Sequence, residues 1–150
     1  MSQDNQISVE IPVQTTDTLL QSLQEAKNAL APFLQALTNE ERANMLKMGD
    51  KSAPTVQKVK SYLETNPEFA PSYMDKVEFL KDEAVVSQLT PISNILNQLA
   101  SDVEDTLMLA GSEALKSSLL YYGQVKEANN KGVTSAKPIY EDLKKRFSKR

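Results

Sequence analysis

The sequence contains no cysteine and no histidine among its 150 residues. Without cysteine there are no disulfides and no thiolate chemistry. Without histidine the chain lacks the commonest metal ligand, the usual general base at neutral pH and the Ser-His and Cys-His pairs of nucleophilic enzymes. A di-iron helical bundle, which needs Glu-x-x-His motifs, is excluded for the same reason. We therefore expect a protein that is not an enzyme, with no catalytic residue, no cofactor and no metal.

Long apolar runs are missing as well. No stretch approaches the roughly eighteen uninterrupted apolar residues of a membrane-spanning helix. The start of the chain, MSQDNQISVEIPV, is acidic and has no basic segment before an apolar run, so it does not have the pattern of a signal peptide. The sequence therefore predicts a cytoplasmic protein without a membrane partner.

The net charge is small, but the charged residues are unevenly distributed. The formal net charge is −3, too small to indicate a nucleic-acid partner. Six acidic side chains and no Lys or Arg lie between Asp82 and Glu113, whereas Lys137 to Arg150 carries six basic side chains against two acidic. Solvated helix faces explain both segments better than binding sites do. No nucleic-acid motif precedes the basic cluster that ends at Arg150, so we expect no nucleic-acid partner.

Helical periodicity dominates the first third of the chain. Apolar residues recur at alternating spacings of four and three from about Asp17 to Leu37, which predicts a helix. Pro32 lies inside this run, and because the apolar register continues beyond it we expect a kink there and not an end. Thr38 and Glu41 have the spacing of a capping box that begins a second helix.

The segment Gly49-Asp50-Lys51-Ser52 raises the question of a phosphate loop. A Walker loop needs Lys directly after the last Gly, and here Asp50 intervenes and would repel a phosphate. We predict a helix junction instead, in which Gly49 takes the left-handed conformation and Ser52 caps the next helix. That helix is expected from Ala53 to about Glu64, with Pro54 in its first turn.

The second half of the chain carries a long apolar stripe. A further helix is expected to start at Pro71 or Ser72. The sequence Thr90-Pro91 is typical either of the start of a new helix or of a kink in a helix that continues. Beyond it, apolar and small residues recur every 3.6 residues to Ala128, which predicts one helix to Asn129 or two joined by a turn near Ser101 to Asp105. We expect this stripe to be buried, with a central group of Leu96, Leu99, Val103 and Leu107. A short last helix over AKPIYEDLKKRF places Ile139, Leu143 and Phe147 on one face.

Two clusters on the long helix have alternative interpretations. Gly111 and Gly123, with small neighbours, predict close approach of another helix, and a ligand cleft beside this glycine face is the alternative. Asp102, Glu104 and Asp105 form either a solvated helix face, which we favour, or a hard-cation site made only of oxygens.

The N-terminus does not fit the helical scheme. Ile7, Val9, Ile11 and Val13 alternate with polar residues, the pattern of a strand that Pro12 restricts to a sheet edge. No second strand is predicted to pair with it, so the segment is either a disordered tail or an arm that pairs outside the monomer. We therefore divide the chain into an extended or disordered arm over residues 1–16 and one helical domain over residues 17–150.

Five segments together resemble a family of small, uncharacterised bacterial all-helical proteins of the kind grouped as a domain of unknown function. They are LKMGDKSAP, NPEFAPSYMD, EDTLMLAGSEAL, YYGQVKEA and IYEDLKKRF. The resemblance covers Asp17 to Phe147. It implies a helical bundle and no particular activity.

The sequence thus predicts an all-α, up-and-down bundle of about four main helices plus a short C-terminal helix. We expect a non-catalytic structural or interaction protein that binds another protein or itself, with the oligomeric state left open. A small-ligand-binding bundle with a cleft beside the glycine face is the alternative. A third candidate is an enzyme that uses carboxylate and lysine or tyrosine chemistry.

Overall fold

The structure, a computed structural model, describes residues 5–148 and is all-α. The predicted fold class is confirmed, with four helices before a short C-terminal one. The helices are α1 (Val13–Leu30), α2 (Asn39–Asn44), α3 (Ser52–Thr65), α4 (Lys76–Asn130) and α5 (Ala136–Phe147), with 3-10 turns at Ala31–Phe33 and Pro67–Phe69. Residues 1–4 of the predicted arm, and Lys149 and Arg150 of the basic cluster, lie outside the described residues.

The described residues form two units. The first unit is Glu10–Leu96, and the second comprises residues 5–9 and 97–148. The sequence predicted a single helical domain after an N-terminal arm. The grouping differs because α4 contributes a segment to each unit, and these segments have different neighbours. Lys60 of α3 bonds to the first segment at Glu83, whereas Tyr140 of α5 stacks on the second at Tyr122.

Helix α1 begins at Val13, earlier than the predicted start at Asp17 and inside the predicted strand. The Pro12 carbonyl accepts hydrogen bonds from the backbone N–H groups of Thr15 (2.9 Å) and Thr16 (3.3 Å). No strand occurs in residues 5–148, and pairing of the arm with another chain stays a prediction. An unpaired strand would leave backbone groups unsatisfied, whereas a helix that starts at Val13 satisfies them locally.

Helix α1 ends at Leu30, so the predicted kink at Pro32 is also wrong. Proline has no N–H for the carbonyl four residues earlier. The chain instead tightens into a 3-10 turn, in which the Leu34 N–H donates to the Ala31 carbonyl at 3.5 Å, and Leu34 is extended at ψ 142°. Phe33 is 78% exposed, so burial of this side chain does not stabilise a continued helix.

The capping box that begins α2 is confirmed. The Glu41 N–H donates to the Thr38 hydroxyl at 3.2 Å, and the Thr38 N–H donates to the Glu41 carboxylate at 2.7 Å. Each side chain thus satisfies a backbone donor that the first turn leaves free, and the Glu41 carboxylate also lies at the positive end of the helix. Hydrogen bonds to the Glu41 carboxylate from the Thr38 backbone N–H, and secondly from the Thr38 side chain, hold the pKa of Glu41 below its ordinary value.

The junction between α2 and α3 differs in detail from the prediction. Gly49 does not have a positive φ, and its carbonyl accepts from the N–H groups of Ser52 (2.9 Å) and Ala53 (3.0 Å). Ser52 is the first residue of α3 and forms no side-chain cap. A right-handed turn is sufficient here because the chain continues from it directly into the next helix. Pro54 lies in the first turn of α3, as predicted.

Helix α4 is continuous for 55 residues, which excludes the alternative turn near Ser101 to Asp105. Its start is later than the predicted Pro71 or Ser72, because Asp75 accepts from the Glu78 N–H through its side chain at 3.0 Å. The helix continues through Pro91. Just before this proline, the Thr90 hydroxyl donates to the Val86 carbonyl at 2.6 Å.

The end of α4 is a Schellman motif centred on Gly132. This glycine has φ 81°. The Val133 N–H donates to the Ala128 carbonyl at 3.0 Å, and the Gly132 N–H donates to the Asn129 carbonyl at 3.1 Å. The left-handed residue therefore turns the chain toward α5, whose bounds match the predicted last helix.

Replacing Gly132 by Ala is expected to destabilise the protein by about 1 kcal/mol, because a side chain at this φ meets the following carbonyl. The matched control is Gly49→Ala, where φ is not positive and an added Cβ has no atom within 4 Å. Urea unfolding followed by circular dichroism measures both variants. Equal midpoints for the two variants would contradict the role of the left-handed glycine.

Candidate functional site

Few side chains are buried in either unit. Among residues 5–148 the buried apolar residues are Val125 and Ala136, and the buried polar residue is Glu83. Apolar side chains of the helices remain exposed in both units, among them Leu20, Phe69 and Leu107.

The largest correction concerns the stripe of α4. The group Leu96, Leu99, Val103 and Leu107, predicted to be buried together, is exposed, with Leu99 37% and Leu107 67% accessible. The periodicity correctly identified one side of the helix, since Val125 further along it is 8% accessible. Within the second unit, however, burial is confined to the α5 end.

We call the uncovered part of this stripe the open face. It consists of Leu99, Val103, Leu107, Ala110, Gly111 and Ala114, all exposed. At about 100° per residue, these positions fall within an arc of about 120° on α4. A Cβ built on Gly111 or Gly123 meets no atom within 4 Å. Among residues 5–148, therefore, no other helix closely approaches either glycine, contrary to the prediction, and the open face has room for a partner's side chains.

Carboxylates lie beside the open face. Asp102 accepts a hydrogen bond from the Gln98 side chain at 2.9 Å, one turn earlier on the same helix. Glu104 and Asp105 are also exposed. In the part of the chain that the structure describes, no group of three or more acidic residues is placed to hold a metal ion. Asp102 and Glu104 thus give the two edges of the open face a negative charge, whereas Asp105 lies on the opposite side of α4.

The other end of the second unit is held together by aromatic residues. Tyr122 of α4 stacks on Tyr140 of α5 with ring centres 6.1 Å apart and planes 7° apart, and it contacts Phe147 at 4.9 Å. The Lys144 ammonium lies 5.7 Å from the centre of the Tyr140 ring, within cation-π range. This packing attaches the basic helix α5 to α4.

The N-terminal segment contacts α4 in the same unit. The Gln6 backbone N–H donates to the Glu113 carboxylate at 2.7 Å. Ile7 is half-buried, and residues 5–12 have no regular secondary structure. The arm therefore contacts α4 at Gln6, and its described residues 5–12 form no strand.

The first unit contains an apolar groove of about 460 Å³. It is lined by Val59, Tyr62, Leu63, Asn66, Phe69, Ala70 and Met74. The groove lies where α3 ends and the chain turns through Pro67–Phe69, so it is not the cleft predicted beside Gly111 and Gly123. Proline stops α3 there, and the turn leaves Phe69 80% exposed.

An ion pair between a partly exposed lysine and a buried carboxylate joins α3 to α4 in the first unit. The Lys60 ammonium donates to Glu83 Oε2 at 2.6 Å, and the Ser87 hydroxyl donates to Glu83 Oε1 at 2.9 Å. Both carboxylate oxygens are therefore occupied. Glu83 also lines a second pocket of about 230 Å³, together with Met48, Ala53, Val56, Gln57, Val86, Ser87, Thr90 and Pro91.

The pair was not anticipated from the sequence, although a signal was present. Lys60 follows Val56 by four residues and precedes Leu63 by three, so it lies on the apolar side of α3. A charged residue in that register needs an opposite charge on the facing helix. Glu83 lies 23 residues away in sequence, and only the pairing of α3 with α4 identifies it as the partner.

The ion pair predicts a pH dependence of stability. Hydrogen bonds from Lys60 and then Ser87 lower the pKa of Glu83, and the same Glu83 contact raises the pKa of Lys60. The Glu83 contribution is present above its unfolded pKa of about 4.3 and is lost as pH falls through the lower folded pKa. The Lys60 contribution is present below its unfolded pKa of about 10.4 and is lost as pH rises through the higher folded pKa.

We therefore expect Glu83→Gln to lower the melting temperature at pH 7. The difference from the parent protein should shrink when acid protonates Glu83 in the parent. Glu78→Gln, which removes an exposed pair with Lys81 at 2.6 Å, is the matched control and should change the melting temperature little. Melting curves between pH 2 and pH 8 measure this. A difference that is constant over this range would contradict the assignment to ionised Glu83.

Comparisons with protein-family models, curated proteins and solved structures found no match for the chain. The resemblance to small bacterial helical proteins therefore stays a prediction. Among the described residues, no helix combines the length and the apolar character that crossing a membrane requires.

Proposed function

We propose that the protein is a non-catalytic interaction protein whose open face on α4 binds a protein partner. The observation that carries the proposal is the exposure of Leu99, Val103 and Leu107 in a row on one side of a continuous helix. Single exposed apolar residues are common on soluble proteins, but a contiguous apolar row with polar edges is typical of a docking surface. Helices that bind partners use residues at this spacing.

The chemistry of Glu83 supports the absence of catalysis. A carboxylate in a pocket is the kind of group that an enzyme could use as a general base. Its pKa would then need to lie near the working pH, whereas hydrogen bonds from Lys60 and Ser87 lower the pKa of Glu83. With both oxygens engaged, this carboxylate is better suited to holding α3 against α4.

Site-specific photo-crosslinking in the native cells tests the proposal. Leu107 is replaced by p-benzoylphenylalanine, and irradiation is expected to produce a covalent adduct with a protein, identified by mass spectrometry. Lys116 is the matched control position, since it is exposed and lies on the opposite side of α4. The proposal fails if neither position yields an adduct or if both yield the same set of proteins.

The groove of the first unit supports a second candidate function, the binding of a small apolar ligand. Its volume of about 460 Å³ lies within the range of known ligand pockets, which is roughly 300 to 1,000 Å³. Indole serves as the probe, and the methyl resonance of Met74 in the groove reports binding by NMR. Met108 is exposed on α4 and serves as the control. Equal shifts of both methyl groups would exclude a specific site.

Placement in the cytoplasm of a bacterium stays a prediction from the sequence. The interaction proposal does not depend on it, since the open face is a property of α4 itself.

A further inference from the structure

The second unit carries an exposed apolar surface and two segments of opposite charge. Residues 97–113 contain four acidic and no basic side chains, a net charge of −4. Residues 114–148 contain seven basic and three acidic side chains, a net charge of +4. The open face lies mainly on the acidic segment, and α5 lies on the basic one. The unit therefore carries two segments of opposite charge, each of which is complementary to the other.

Within one copy the basic end of α5 is too far from the acidic residues to pair with them, because Phe147 packs at Tyr122, which is about 27 Å along α4 from Glu104. A second copy in the opposite direction brings them together. We propose that two copies of the chain pair antiparallel about the middle of residues 97–130 of α4, so that the α5 end of each copy covers the open face of the other. This inference rests on the proposed function and identifies the partner as a second copy of this chain.

The surface area supports a second copy. On the open face, Leu99, Val103 and Leu107 are 37%, 46% and 67% accessible, so a second copy has apolar surface to bury. A stable dimer needs about 800 Å² from each partner, and obligate homodimers bury more and have more apolar interfaces. The open face and the α5 end together supply an apolar surface of the required type.

The charges favour one register. The acidic segment ends at Glu113 and the basic segment begins at Ala114. This boundary is also the midpoint of residues 97–130. Antiparallel pairing about this point places residues 102–105 of one copy opposite residues 122–125 of the other. The α5 helix packed at Tyr122 then brings Lys144, Lys145 and Arg146 near the acidic residues of the second copy. Gly111 and Ala114 lie at the centre, where small side chains let the two helices approach closely.

The mass in solution tests the pairing. Sedimentation equilibrium is expected to give twice the chain mass of 16.7 kDa. Gly111→Leu should weaken the dimer about tenfold or more by separating the helices at their centre. Gly123→Leu is the matched control, because it lies on the other side of α4 and is equally open. A monomer at all accessible concentrations overturns the proposal, and so does equal dissociation by both variants.

Charge reversal tests the proposed register. Replacing Asp102 and Glu104 together by Lys should weaken the dimer about tenfold or more. Replacing Lys144, Lys145 and Arg146 by Glu in the same chain should restore it, because complementarity then returns with the signs exchanged. Failure of the second set to restore the dimer overturns the register. Circular dichroism on each variant checks that the helices remain formed.

Single cysteines test the direction of pairing, since the parent chain has none. Ala114→Cys, at the centre, should form a disulfide-linked dimer under mild oxidation. Leu99→Cys should not, because antiparallel pairing places residue 99 opposite residue 128 of the second copy. A disulfide at residue 99 would indicate parallel pairing and overturn the proposal. If the chain is monomeric but Leu107 still crosslinks to a different protein, the second copy is excluded while the interaction function stands.

Discussion

Replacing Val125 by Asp is expected to detach α5 from α4 and to cost about 3 kcal/mol or more. Val125 is 8% accessible and Ala136, at the start of α5, is 6% accessible. These are the buried apolar residues of the described chain. The substitution loses the transfer energy of an apolar side chain, which is about 1.5 to 3 kcal/mol, and adds an unpaired charge in a site without a partner. Urea unfolding at neutral pH measures the cost.

The aromatic packing gives a second readout for the same variant. The chain has no tryptophan, so its near-ultraviolet circular dichroism arises mainly from tyrosine and phenylalanine. Loss of the Tyr122 and Tyr140 stack should reduce that signal while leaving most of the helical signal in place. Gln124→Asp is the matched control, since it adds the same charge at an exposed neighbouring position and should cost less than about 0.5 kcal/mol. Equal effects of the two variants would contradict the burial of Val125.

Local structure was predicted well where a few adjacent residues determine it. The capping box at Thr38 requires two side chains three residues apart, and both of its hydrogen bonds are present. The bounds of α5 match the predicted segment, Ala136–Phe147. Signals of this kind are independent of the rest of the chain, because the bonds that produce them are formed within one or two turns.

Predictions that depended on distant contacts were less accurate. The stripe of α4 was correctly assigned to one side of a helix, but periodicity shows which residues share a side and not what covers them. Leu107 is therefore exposed although its spacing is that of a core residue. The same reasoning applies to Gly49. A glycine near a helix end permits the left-handed conformation, but the geometry of the following helix decides whether the chain uses it.

The interaction surface follows from this difference between sequence pattern and burial. An apolar stripe that is periodic but uncovered indicates that the covering element lies outside the unit. The apolar residues identify the surface, and the charges beside it identify the partner. The acidic segment at Asp102 and the basic helix that carries Lys144 were first interpreted separately as solvated faces. Because both belong to one unit of one chain, the proposed antiparallel pairing gives the acidic segment of each copy a basic partner on the other copy.

Replacing Ser101 by Pro is expected to cost about 3 kcal/mol or more, because proline removes a backbone hydrogen bond and clashes with the preceding turn of a continuous helix. A turn near Ser101 to Asp105, the alternative topology, would tolerate the same change. Ser101→Ala is the matched control and should be neutral or slightly stabilising, since alanine favours the helix. Far-ultraviolet circular dichroism and urea unfolding measure both variants. Equal stability of the two would indicate that α4 is interrupted there, and antiparallel pairing along residues 97–130 would lose its structural basis.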